Sequence, residues 1–362
     1  MAPPETAAGR VDRLVWVDAA RTLACAGVVL VHVNIGFRPG LDTWWPGGLL
    51  GAPFFSLVVP VFFVLSGFVA ALRPPGPDES AGPWLRRRLS RLLLPFFVWN
   101  AILLATGVPG PSLSTAQIVF YLFFGAGPLY YVGALIQLLA IFAFVERFKE
   151  GGRLAFALSF VLSAAFYAAA DLAALMTGAR AEIFETNLNR FFPAWGAFFA
   201  AGVLLAREKG AFGWIERRRA LLVVLSVLSF AAYLGELHVV LSRFGFHPVR
   251  QFFGAGLPFQ LAGTLLFLAG LRRLDRSGRA RKLLSRLAAA GPDTFGIYLS
   301  HVPVQTGLFA VWVAAGHETA DWWEVPVLAA ASWILCRAAV RAARRVRLPA
   351  VPLLFGVTPG PR

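Results

Sequence analysis

The chain has 362 residues, of which 58% are hydrophobic, 14% aromatic and only 15% charged. That balance, with a mean hydropathy of +0.67, excludes an ordinary soluble globular domain, in which about 25% of residues are charged. The formal net charge of +15 does not point to nucleic acid, because the basic residues sit in short gaps between apolar runs and form no patch on a soluble fold.

Taken in order, a window of about 20 apolar residues marks ten segments, at 14–36, 49–72, 92–107, 128–145, 154–176, 191–206, 220–241, 251–271, 294–315 and 322–340. The expected fold is an all-α integral membrane protein of about ten transmembrane helices around a central polar cavity. Arg10 and Arg13 before the first run resemble a signal peptide, but Asp18 and Arg21 interrupt it, so it reads as an uncleaved first span. The stretch 115–127 is too short to cross alone and reads as a re-entrant or interfacial piece. Residues 1–348 form the expected membrane domain, and the Pro-rich tail 349–362 reads as disordered or surface-lying. With the N-terminus inside, the cytoplasmic segments hold 28 of the 34 Lys and Arg and the external loops only five. The positive-inside rule therefore selects N-in, C-in. Trp44, Trp45, Trp322 and Trp323 fall in external loops as interfacial anchors, and Cys25 and Cys336 read as small packing residues.

The first span carries the chemistry. Asp18, Arg21 and His32 each cost at least about 2.5–3.5 kcal/mol at membrane depth unless they face a bundle interior or a wet cavity. Residues 21 and 32 are eleven apart, three helical turns plus about 20°, which puts them on one face about 16 Å apart along the axis. Asp18 lies about 40° from His32 on the same count. Imidazole has the unperturbed pKa of a general base near neutral pH. Arg21 either orients a ligand or clasps Asp18 at i, i+3.

Four fragments resemble acyltransferase family 3, the bacterial membrane O-acyltransferases of surface polysaccharides and other acceptors. Arg21 followed by His32 looks like that family's Arg-x10-His motif; Pro60–Phe68 (PVFFVLSGF) looks like its second span. Trp84–Pro95 (WLRRRLSRLLLP) looks like its basic segment, with Arg88 and Arg91 as the arginine pair; Phe295–His301 (FGIYLSH) looks like its ninth span. Where many members have His-Leu-Trp-Phe, this chain reads Pro128-Leu-Tyr-Tyr131, so Tyr130 or Tyr131 is the expected cavity lining in place of a histidine.

The resemblance implies an enzyme of the bacterial inner (plasma) membrane that moves an acyl group from acyl-CoA, acetyl-CoA first among donors, to a hydroxyl of an envelope carbohydrate or glycolipid, with no metal. His32 is then the general base, with Arg21 and Asp18 beside it. Arg86, Arg87, Arg88 and Arg91 are candidates for the donor's phosphates, since guanidinium forks match phosphate oxygens. Plain positive-inside anchoring is the alternative for Arg86 and Arg87 and the default for the run Arg272–Arg286. Asn34 and Asn100 are candidate cavity-lining groups, His301 is either a second such group or a structural histidine, and Glu236 and His238 read as interfacial. Two other readings compete: an exporter of polysaccharide or lipid-linked sugar, since intramembrane charges also mark transport paths, and a structural subunit of an envelope-synthesis complex.

Overall fold

Each of the ten segments overlaps a helix among the described residues. A computed structural model describes residues 14–37, 46–76, 79–108, 110, 112–145, 152–177, 187–244, 254–278, 280–346, 348 and 350–357. Trp44 and Trp45, residues 1–13 and the last five residues of the Pro-rich tail lie outside them. The helices are α1 (Val15–Phe37), α2 (Pro46–Leu72), α3 (Ala81–Ala105), α4 (Thr115–Phe124), α5 (Tyr130–Val145), α6 (Gly152–Thr177), α7 (Gly196–Arg207), α8 (Ala211–Arg217), α9 (Arg219–Phe244), α10 (Gly256–Ser277), α11 (Arg281–Ala288), α12 (Thr294–Ala314), α13 (Glu324–Arg345) and α14 (Ala350–Leu354), with no strand among the described residues. Among the described residues, seven helical segments are long and apolar enough to cross a bilayer, those of α1, α3, α5, α6, α9, α12 and α13. The apolar helices α4, α7 and the Ser56–Leu72 part of α2 are shorter. Helix α10 has 22 residues but buries Gln260 and Thr264 within it.

Helix α1 is the hub. It packs against α2, α10, α11, α12 and α13, and its buried face carries small residues, Ala19, Ala20, Ala24, Cys25 and Gly27. Small side chains let helix axes approach where lipid supplies no hydrophobic drive. Three polar contacts then fix its rotation. Thr22 Oγ1 donates to the Leu287 carbonyl at 2.9 Å, Cys25 Sγ donates to the Thr294 carbonyl at 3.4 Å, and Gln305 Nε2 donates to the Val29 carbonyl at 3.0 Å.

The α2–α7 pair depends on two glycines. A Cβ at Gly202 would strike the Val64 carbonyl and the Phe68 nitrogen, and one at Gly67 would strike the Phe199 carbonyl. Backbone meets backbone there, so no side chain can yield. The 350–357 part of the expected loose tail is folded: α14 lies against α3 and α13, Trp99 Nε1 donates to the Leu354 carbonyl at 2.7 Å, and the Trp99 and Phe355 rings meet edge-on at 5.5 Å. Helix α4 has the capping box expected of a short free-standing helix, with Ser114 and Gln117 each bonding the other's backbone.

Candidate active site

Arginines gather at one end of α1. A cavity of about 510 Å³ is lined by Arg21 from α1, Ser66 from α2, Arg73, and Arg87, Arg88 and Arg91 from α3. The α2–α3 connection sets their positions: Arg73 offers its carbonyl to Trp84 Nε1 at 2.8 Å and to Arg88 Nη2 at 3.1 Å. The Arg88 guanidinium lies 4.8 Å over the Trp84 ring, a cation–π contact that holds the fork in place. Arg87 pairs with Glu79 at 2.5 Å, and its hydrogen bond holds the Glu79 carboxyl below the usual range. Arg86 lies apart, in a separate hollow with Arg87 and Ser90. Asp18 and Arg21 are 3.7 Å apart, a loose pair that leaves the guanidinium available to the cavity.

His32 faces a second cavity, of about 590 Å³, shared with Tyr130, Asn189, Arg190, Gln305 and Thr306. His32 Nδ1 lies 2.9 Å from the Val28 carbonyl. A carbonyl only accepts, so in that bond Nδ1 carries the proton and Nε2 keeps the lone pair of the neutral ring. His301 stacks edge-on against it, ring centroids 4.8 Å apart at 73°. It is fully buried. Its Nδ1 meets the Tyr298 carbonyl at 2.5 Å, and its Nε2 has no hydrogen-bond partner among the described residues. His301 is therefore a neighbour of His32 and does not itself line the cavity.

Arg21 and His32 fall to different cavities, and neither of these two cavities is lined by both residues. The 16 Å rise between them along a single helix is longer than either site can bridge by side-chain reach. A buried string of contacts joins the two instead. Ser66 Oγ hydrogen-bonds the Tyr131 hydroxyl at 2.9 Å, the Tyr131 and Tyr298 rings lie 5.6 Å apart, and Tyr298 and His301 lie 5.7 Å apart. The Tyr298 hydroxyl donates to the Pro128 carbonyl, which ties the α12 motif to the Pro-Leu-Tyr-Tyr turn.

Of the other expected groups, Tyr130 lines the His32 cavity, whereas Tyr131 is buried between the two. Asn34 is exposed and lines neither. Asn100 is fully buried and accepts from the Ala126 nitrogen at 2.7 Å, a structural role. Glu236 accepts from the Ala255 nitrogen at the start of α10, beside Asp171, which accepts from Gly254 at 2.9 Å, so it fastens a helix end. Sequence reasoning missed Arg190, counted as a loop cation. It is buried, donates from Nε to the Gly125 carbonyl and from Nη1 to Asn189 Oδ1, both at 3.0 Å, and lines the His32 cavity. The signal available was its place at the edge of the aromatic run Phe191-Phe192-Pro193, where a cation has little water to face.

Multiple apolar spans with a histidine pair at one depth and an arginine-lined cavity at another define a multi-pass membrane protein with a polar site inside its bundle. The chain belongs to acyltransferase family 3, whose family model, an acyltransferase domain, matches residues 14–341. No match was found among curated proteins or among solved structures.

Proposed function

We propose that the protein transfers an acyl group, acetyl first among candidates, from acyl-CoA to a hydroxyl of a carbohydrate or glycolipid of the bacterial envelope. The single observation that carries this is His32, with Nδ1 committed to the Val28 carbonyl and Nε2 free to act as a base beside a cavity. The acceptor hydroxyl sits in that cavity and gives its proton to Nε2 as its oxygen attacks the thioester carbonyl. The tetrahedral intermediate then collapses, the C–S bond breaks, and the imidazolium returns the proton to the leaving thiolate. The family membership and the apolar helices support acyl transfer within a membrane.

The donor is anionic, and its phosphates suit the cavity of Arg21, Arg87, Arg88 and Arg91. Its long flexible arm then runs past Tyr131 and Tyr298 toward the histidines. Arg21 on this reading steers the donor, with Asp18 behind it, and Arg86 serves only as an interfacial anchor. With the N-terminus inside, the arginine cavity opens to the cytosol, where acyl-CoA is found, and the histidine cavity lies toward the far leaflet.

The test is turnover by purified protein given radiolabelled acetyl-CoA and an envelope glycan fraction, with no ion gradient present. His32→Ala is expected to remove transfer, by at least about 10²-fold, while the protein stays folded. Undiminished transfer by that variant, or none by the wild type with any acyl-CoA, overturns the reading.

A further inference from the structure

Three arginines on one face of α13 close on a single carboxylate. Arg337, Arg341 and Arg344 are spaced i, i+4, i+7, so they form one stripe. Arg337 Nε lies 3.1 Å from Asp293 Oδ2, Arg341 Nε 3.7 Å from the same oxygen, and Arg344 Nη2 2.8 Å from Oδ1. Arg344 Nη2 also donates to the Pro292 carbonyl at 2.9 Å. The Asp293 side chain is only 3% exposed, whereas those of Arg337, Arg341 and Arg344 are 27%, 57% and 30% exposed. Asp293 occupies the N-cap position of α12 without capping it; its charge is spent on the arginines.

The charges do not balance. Three guanidinium groups against one carboxylate leave an excess of two positive charges in one place. Each guanidinium has five N–H donors in a planar fork, and the Asp293 and Pro292 oxygens occupy few of them. Arg344 Nε is buried with no hydrogen-bond partner among the described residues. Cations that merely anchor a helix splay into the headgroup layer. These converge, open on one side to solvent and closed on the other by Asp293.

We infer that the Arg337–Arg341–Arg344 cluster is a binding site for a phosphate group. A phosphate carries the charge and the tetrahedral set of acceptor oxygens that complete three converging forks. The site is distinct from the Arg88–Arg91 cavity, with which it shares no residue, and the inference stands independently of the acyl-transfer reading. It lies next to the first helix, since a Cβ on Gly291 would come within 2.8 Å of Asp18 Cβ. Two sources offer this group: the headgroup of an anionic phospholipid, or a soluble nucleotide.

The experiment measures thermal stabilisation of the full chain in two arms. One titrates adenosine 3′,5′-bisphosphate against the detergent-solubilised protein; the other compares nanodiscs of phosphatidylcholine with nanodiscs containing phosphatidylglycerol. Both use an Arg87→Gln, Arg88→Gln, Arg91→Gln background, which weakens any response through the other cavity. What Arg21 and Arg73 still bind there is common to the parent and the Arg341→Gln protein and cancels in their comparison. A ligand that binds only the folded state raises the midpoint with concentration. At least one arm is expected to show a rise, and Arg341→Gln, the most exposed member, to weaken the apparent affinity about tenfold. Asp293→Asn separates this site from a mere clasp of α13 to α12. Removing the competing carboxylate raises the cluster's excess charge, so the variant has a lower midpoint without ligand but a larger ligand-induced rise. No rise in either arm, or equal rises in the parent, Arg341→Gln and Asp293→Asn proteins, overturns the inference.

Discussion

At the scale of the residue, two histidines and one arginine set the polar character of the bundle interior. His32 and Arg21 are legible in the sequence because an ionisable side chain in an apolar run stands out, and because eleven residues return a helix to nearly the same face. What the period does not give is depth. A shared face 16 Å long reaches two chambers, Arg21 lining one and His32 the other. Tyr131 and Gln305 are less conspicuous, since an uncharged polar residue inside an apolar run costs little pattern. Arg190 is hidden for another reason: cations between spans read as solvated, and only the aromatic residues that follow it hint that its side chain turns inward. Its bonds to the Gly125 carbonyl and Asn189 require the planar fork. Arg190→Lys keeps the charge and loses that geometry, leaving buried acceptors unmatched at about 1–3 kcal/mol. Equilibrium unfolding of the detergent-solubilised variant checks this, and an unchanged midpoint refutes it.

Among the helices, the glycines decide how closely elements meet. Gly202 and Gly67 bring α7 onto α2 with no room for a methyl group, because the obstructing atoms are main chain. Gly202→Ala is expected to destabilise the protein by about 1–3 kcal/mol through forced separation of the pair. Gly307 in α12 has open space around its Cβ position, and Gly307→Ala is expected to be neutral or stabilising by up to about 1 kcal/mol. Thermal melts of the two variants side by side test the contrast, and equal losses count against the packing account. The ten apolar runs were readable from composition alone, whereas this pairing was not. Hydrophobic runs report that a helix is buried in something, and only small residues report against what; Gly67 was visible inside a motif, but its partner Gly202 sits in a segment that looks uniformly apolar. The folding of α14 was equally opaque, since a Pro-rich sequence conceals the contacts that seat it, among them Trp99 to the Leu354 carbonyl and to the Phe355 ring.

Across the whole molecule, the arginine-rich end of α1 and the histidine end lie at different depths, and the positive-inside rule gives the orientation to be expected of them. The N-in arrangement predicts that Glu318→Cys reacts with a membrane-impermeant maleimide on intact cells, while Ser277→Cys reacts only after permeabilisation. Both positions are exposed, and the native Cys25 and Cys336 are buried, so the wild type is a silent background. The reverse labelling pattern inverts the molecule and with it the side that admits the donor.

The phenol pair between the chambers has a consequence for the cell that holds this protein. Tyr131 and Tyr298 are both buried, and on the acyl-transfer reading they are expected to act as a gasket that insulates the two vestibules from one another and spares the proton gradient and voltage of the bilayer. On the acyl-transfer reading, what slides through the seal is a slim uncharged tether, withdrawn after every turnover, so goods change hands across the barrier while neither trader crosses it.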